Sequence, residues 1–176
     1  MRDIPALMLR SRSVLLAAVA GLLLTAPAAQ AACPDVPLSR PFTPWLDYAQ
    51  YQAAPDGSFA GGAEGWTLSG GATVTDGALS LPAGGSALTP PICITPSHPT
   101  LRFFQKGTGL LATSVVWNGL ELPISTSLGL GNAWSPSPIQ LIVLNLLGES
   151  DVRFRFTSAL GTVAVDDVWV DPYSKG

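Results

Sequence analysis

From Asp56 onward, short segments rich in β-branched and aromatic residues alternate with clusters of Gly, Pro, Asn and Ser at intervals of about ten residues. That rhythm predicts an all-β sandwich of about eight strands. The segments are Gly65 to Ser69, Ala78 to Leu81, Ser86 to Thr89 with Ile92 to Thr95, Thr100 to Gln105, Leu111 to Trp117, Leu120 to Ile124, Asp151 to Thr157 and Thr162 to Val170. Between Asp151 and Phe156 apolar and basic residues alternate with period two, which sends Val152, Phe154 and Phe156 to a core and both arginines to water. In the last segment Val163, Val165 and Trp169 share one side and Ala164, Val168 and Val170 the other, the pattern of a central strand. Asp76-Gly77, Gly84-Gly85 and Asn118-Gly119 supply residues tolerant of positive φ at turns, and Asn118-Gly119 is the best hairpin signal. The apolar run Pro138 to Gly148 fits either a buried strand or a short helix, and a strand followed by a turn is preferred.

The N-terminal part breaks this pattern twice. Arg2, Arg10 and Arg12 precede an apolar run, Val14 to Leu24, that closes on the small-x-small triplet Ala29-Gln30-Ala31. This is the plan of a signal peptide over residues 1–31, and the run is too short to cross a bilayer. A secreted, extracellular chain without a membrane association after cleavage is expected, and Gln30, three before Cys33, argues against a lipid anchor there. Residues 32–55 are rich in Pro and aromatics without sustained periodicity and read as an extended arm laid over the sandwich domain of residues 56–176.

Charge and cysteines narrow the function classes. The net charge of −3, with no run of Lys or Arg, excludes phosphate neutralisation as a binding mode, so neither nucleic acid nor an anionic membrane is an expected partner. In an oxidising compartment the two cysteines, Cys33 and Cys93, are expected to form a disulfide that staples the arm to mid-domain. Thiol catalysis lacks a plausible base, because the single histidine lies in the turn-like Ser97-His98-Pro99.

Three stretches carry a resemblance: Pro55-Asp56-Gly57-Ser58-Phe59, the Gly65-Trp66 pair, and Val165-Asp166-Asp167-Val168-Trp169-Val170 near the C-terminus. Together they resemble secreted jelly-roll modules of the carbohydrate-binding, galactose-binding-domain-like type. A second likeness, through Cys33-Pro34-Asp35-Val36-Pro37, Pro90-Pro91-Ile92-Cys93 and His98-Pro99-Thr100-Leu101-Arg102-Phe103-Phe104, is to secreted bacterial proteins without an established activity. The resemblance implies a jelly-roll fold. It also implies a structural calcium held by a carboxylate after the Phe and by an Asp on the last strand. Asp166 supplies the second, but Ala60 stands where the first belongs, so the calcium site is expected to be weakened or lost and no other cofactor is implied.

Catalytic constellations are thin. The sequence has no Gly-x-Ser-x-Gly elbow, His-Glu-x-x-His helix, phosphate-binding Gly-x-x-x-x-Gly-Lys or paired-cysteine zinc pattern. Glu64, Glu121, Glu149 and Asp151 could converge as a hydrolytic pair only in a cleft, and solvated loop charges are the simpler reading. A binding module needs an aromatic surface and a few amides or hydroxyls. Trp45, Tyr48 and Tyr51 on the arm, Trp117 beside Asn118, and Trp134 after Asn132 are the ligand candidates, while Trp66 and Trp169 fit a core. The leading expectation is a noncatalytic module for neutral carbohydrate. The alternative is an extracellular structural or protein-interaction domain, and a small hydrolase ranks third.

Overall fold

The computed structural model describes residues 33–142 and 150–171. Among the described residues eleven strands form one antiparallel sheet rolled into a sandwich: β1 (Leu38–Ser39), β2 (Tyr51–Ala53), β3 (Thr67–Ser69), β4 (Thr73–Thr75), β5 (Ala78–Leu81), β6 (Ser86–Leu88), β7 (Ile92–Ile94), β8 (Thr100–Trp117), β9 (Leu120–Pro136), β10 (Gln140–Leu141) and β11 (Ser150–Asp171). The fold is thus the all-β jelly-roll class expected. No helix among the described residues is long and apolar enough to cross a membrane.

Three long strands organise everything else. β8 pairs with β11 along almost its whole length, from Thr100↔Asp171 to Val116↔Arg153, and with β9 on its other side. The short strands β7, β6, β5 and β2 line the far edge of β11 in turn. Where the sequence predicts separate strands on either side of residues 106–110 and 158–161, the chain instead runs through without leaving the ladder. Glycine is the reason. A Cβ at Gly161 would lie 2.0 Å from the Thr108 carbonyl oxygen and one at Gly107 2.3 Å from that of Thr162, so only glycines let the backbones meet at this corner. Past the corner the sheet folds over itself. The first layer holds the Thr100 end of β8 with β5, β2 and the C-terminal part of β11; the second holds the Trp117 end of β8 with β6, β7 and the N-terminal part of β11.

The core between the layers follows the predicted alternation. Val152, Phe154 and Phe156 are buried as expected, and Phe156 meets Phe103 of the first layer edge to face, ring centroids 5.1 Å apart. Trp66 is buried as expected and donates its indole N–H to the Pro55 carbonyl. The side assignment for the last segment needs correction. A bulge between Asp166 and Trp169, with Asp167 at φ 48°, flips the alternation, so Val168 and Val170 join Val163 and Val165 in the core while Trp169 turns to the outer face, half-buried. Of the apolar run at Pro138 to Gly148, residues 138–142 are described and hold the short strand β10, and residues 143–148 lie outside the described residues. The leader, residues 1–31, also lies outside them.

Candidate functional site

The arm is bonded into the fold rather than merely laid upon it. β1 and β2 extend the first layer at the edge of β11, and Cys33 is bridged to Cys93 with Cα atoms 5.5 Å apart. Residues 40–50 then cross the outer face of β8 around a 3-10 turn, Thr43–Trp45. Phe42 is fully buried there, stacked on Phe104 at 5.1 Å and edge-on to Tyr51 at 4.9 Å, with the Arg102 guanidinium 4.3 Å above its ring. Asp47 completes the anchor. Its carboxylate accepts the Tyr51 hydroxyl at 2.6 Å, the Ala49 amide at 3.0 Å and a short bond from Arg102. Burial pushes the Asp47 carboxyl up, but those three bonds and the Arg102 charge outweigh it and hold the group below its ordinary value. Burial and the bond to Asp47 push the Tyr51 hydroxyl well up.

This anchoring leaves an aromatic face outside. Trp45 is 47% exposed and stands edge-on to Phe104 at 5.2 Å; Tyr48 is 61% exposed. Between the arm and the segment at Ile139 lies a groove of about 550 Å³ lined by Trp45, Tyr48, Arg40, Gln50, Arg102 and Ile139. Two residues along the same side of β8 from Phe104, the Lys106 ammonium lies 4.4 Å over the ring of Trp134, which is 37% exposed. Trp134 projects because β9 carries extra residues here. Gln105 pairs with Ser135 and Gly107 with Gly131, so Asn132, Ala133 and Trp134 together face Lys106.

The structure therefore brings Trp45 and Trp134 to one face and leaves Trp117 and Asn118 elsewhere. Those two sit at the β8–β9 hairpin beyond the corner, with Asn118 at φ 48° and Gly119 at φ 79°, and Trp117 packs against the core. Asp166 pairs in register with Phe104, on the aromatic face, and accepts the Asp167 amide. Burial and the neighbouring Asp167 raise it to about 6 against the opposing bond from that amide and the charge of Lys106. Among the described residues no group of three or more His, Cys, Asp and Glu side chains could hold a metal ion. The Asp56 carboxylate accepts the amides of Gly61 and Glu64 and so orders the loop after Pro55.

Two of the residues weighed for catalysis, His98 and Glu121, have structural partners. His98 is buried; its Nδ1 accepts the Thr95 amide, so Nε2 carries the proton and donates to Gln52, and burial holds the ring below its ordinary value. Glu121 pairs with Arg155 at 3.1 Å on an exposed face, and Glu149 lies outside the described residues. Sequence reasoning missed Arg40, Asp47, Arg102 and Lys106. The signal for two of them was present: Arg102 and Lys106 alternate with Phe103 and Gln105, which places both on the side away from the core.

No protein-family model matches the sequence, and no curated protein matches it significantly. Solved structures similar in fold include a variant of a family 29 carbohydrate-binding module complexed with cellulohexaose, at 17% identity and TM-score 0.49, covering 69% of this chain and 90% of that one. The C-terminal family 6 carbohydrate-binding module of a marine laminarinase from Zobellia galactanivorans is similar at 13% identity and TM-score 0.48, over 62% of this chain and 95% of that one. A cleaved adhesin domain of Lys-gingipain from Porphyromonas gingivalis is similar at 14% identity and TM-score 0.47, over 65% and 96%. At these identities no residue-by-residue correspondence of a site follows.

Proposed function

We propose that this chain is a secreted, noncatalytic module that binds carbohydrate on the face around Phe104. The observation that carries the reading is the exposure of Trp45 and Trp134, one from the arm and one from β9, on the same side of β8. A pyranose ring presents an apolar face that stacks on indole, while the amide of Gln50 and the hydroxyl of Tyr48 in the adjoining groove can meet its hydroxyls. The Cys33–Cys93 bridge supports export, because such bonds persist in oxidising compartments.

The test is affinity electrophoresis through gels containing soluble polysaccharides. Trp45→Ala and Trp134→Ala are each expected to weaken binding by roughly threefold to tenfold, the worth of one aromatic stack. Trp117→Ala is expected to leave it unchanged. A different observation favours the interaction-domain reading: Leu128, Leu110 and Leu160 stand in one row across the corner, beside Leu130, and Leu128, Leu130 and Leu160 are 58%, 80% and 65% exposed. Under that reading Leu130→Ser, rather than either tryptophan variant, abolishes capture of a protein partner.

A further inference from the structure

Resting on the carbohydrate reading, we infer that the groove beside Trp45 takes a saccharide that carries a carboxylate, a uronic acid unit. Its floor is Arg102, only 7% exposed, whose guanidinium has five N–H donors. Nε and one terminal nitrogen donate to the Ser137 carbonyl at 3.3 and 3.2 Å, and the other terminal nitrogen donates to Asp47. The Tyr51 hydroxyl oxygen also accepts from this guanidinium, which leaves at most one N–H for a ligand.

The wall adds a second cation. Arg40 lines the same groove, and the ion pairs among the described residues are Arg102 with Asp47 and Arg155 with Glu121, which leaves the Arg40 guanidinium unpaired. The groove thus holds two guanidinium groups against one carboxylate in a chain whose net charge is −3. A planar carboxylate matches the fork of an arginine, and the exposed rings of Trp45 and Tyr48 stand beside it for the sugar ring. The global charge speaks for a neutral ligand; the local charge at the aromatic groove speaks for an acidic one, and the local charge is what a bound sugar meets.

The experiment compares polygalacturonate, its methyl ester, a neutral galactomannan and a sulfated galactan as probes for the full chain with its disulfide intact. The wild type is set against Arg40→Gln and Trp45→Ala. Arg40 is exposed and its side chain makes no internal bond, so its variant folds, which circular dichroism checks. The expected result is at least tenfold tighter binding of polygalacturonate than of its ester, a preference erased by Arg40→Gln and eroded by salt. Equal binding of acid and ester, or a preference that Arg40→Gln leaves intact, overturns the inference while Trp45-dependent binding keeps the carbohydrate reading. Preference for the sulfated galactan overturns the carboxylate assignment. Absence of binding to every probe defeats both readings.

Discussion

The two ends of β8 each present a tryptophan that sequence reasoning marks as a ligand contact, and they differ in how the sheet treats it. At the hairpin the ladder is regular from Val116↔Glu121 to Trp117↔Leu120, and Trp117 folds against the core. At the other end the ladder is broken by the extra residues of β9 and overlaid by the arm, and Trp134 and Trp45 stand outward around Phe104. A regular strand end gives its large side chain to the core, whereas a bulge or a docked turn spends backbone regularity to expose one. Exposure of an aromatic next to a structural irregularity is therefore the better guide to a binding face than its nearness to a turn in sequence.

The strongest way to break that contrast is to release the arm. Replacing Cys33 and Cys93 with Ser removes a bridge across a sequence separation of 60, expected to cost about 4 kcal/mol by the chain-entropy relation. Chemical denaturation should show that loss, together with loss of the Trp45 half of the face. Asp47→Ala leaves the Arg102 guanidinium buried without its carboxylate, at an expected cost of about 3 kcal/mol. The intact pair carries a pH signature. Because the Asp47 carboxyl is lowered in the fold, its contribution is present above the ordinary carboxylate value of 3.8 and is lost as pH falls through the folded value. The acid limb of the melting temperature should therefore flatten in Asp47→Ala.

Trp117→Ala sharpens the contrast from the other side. It should cost about 2 kcal/mol of stability, as truncation of a half-buried side chain packed on the core, with polysaccharide affinity unchanged. Asp166→Asn is the smallest effect and has the opposite sign. Its carboxyl is raised to about 6, so folding favours the protonated form, and the penalty grows as pH rises from 3.8 through 6. The variant should gain about 1 kcal/mol at pH 7.5, after discount for solvent screening, and nothing at pH 4. A gain that persists at pH 4 would contradict the assignment.

Much of the fold is legible in the sequence, and the misses share a cause. β5 falls on Ala78–Leu81 as predicted, the alternation of β11 holds through Phe156, and Asn118-Gly119 is the two-residue hairpin turn. Glycines at 107, 109 and 161 read as strand ends because glycine weakens a strand interior, yet here they mark a corner that the ladder turns without stopping. The flip at Asp167 is invisible to a period-two count, and β4 and the arm strands are too short to show a period at all. Trp45 and Trp134 could be named singly from composition and position. Their meeting on one face could not, because it depends on the arm's docking by Asp47 and Arg102 and on a bulge in β9.

The most direct measurement is polysaccharide affinity of Trp45→Ala and Trp134→Ala beside Trp117→Ala, each checked for folding by circular dichroism. Binding weakened roughly threefold to tenfold by each of the first two and untouched by the third supports the face around Phe104 as the carbohydrate site. Binding that survives the first two and disappears with Trp117→Ala would contradict it.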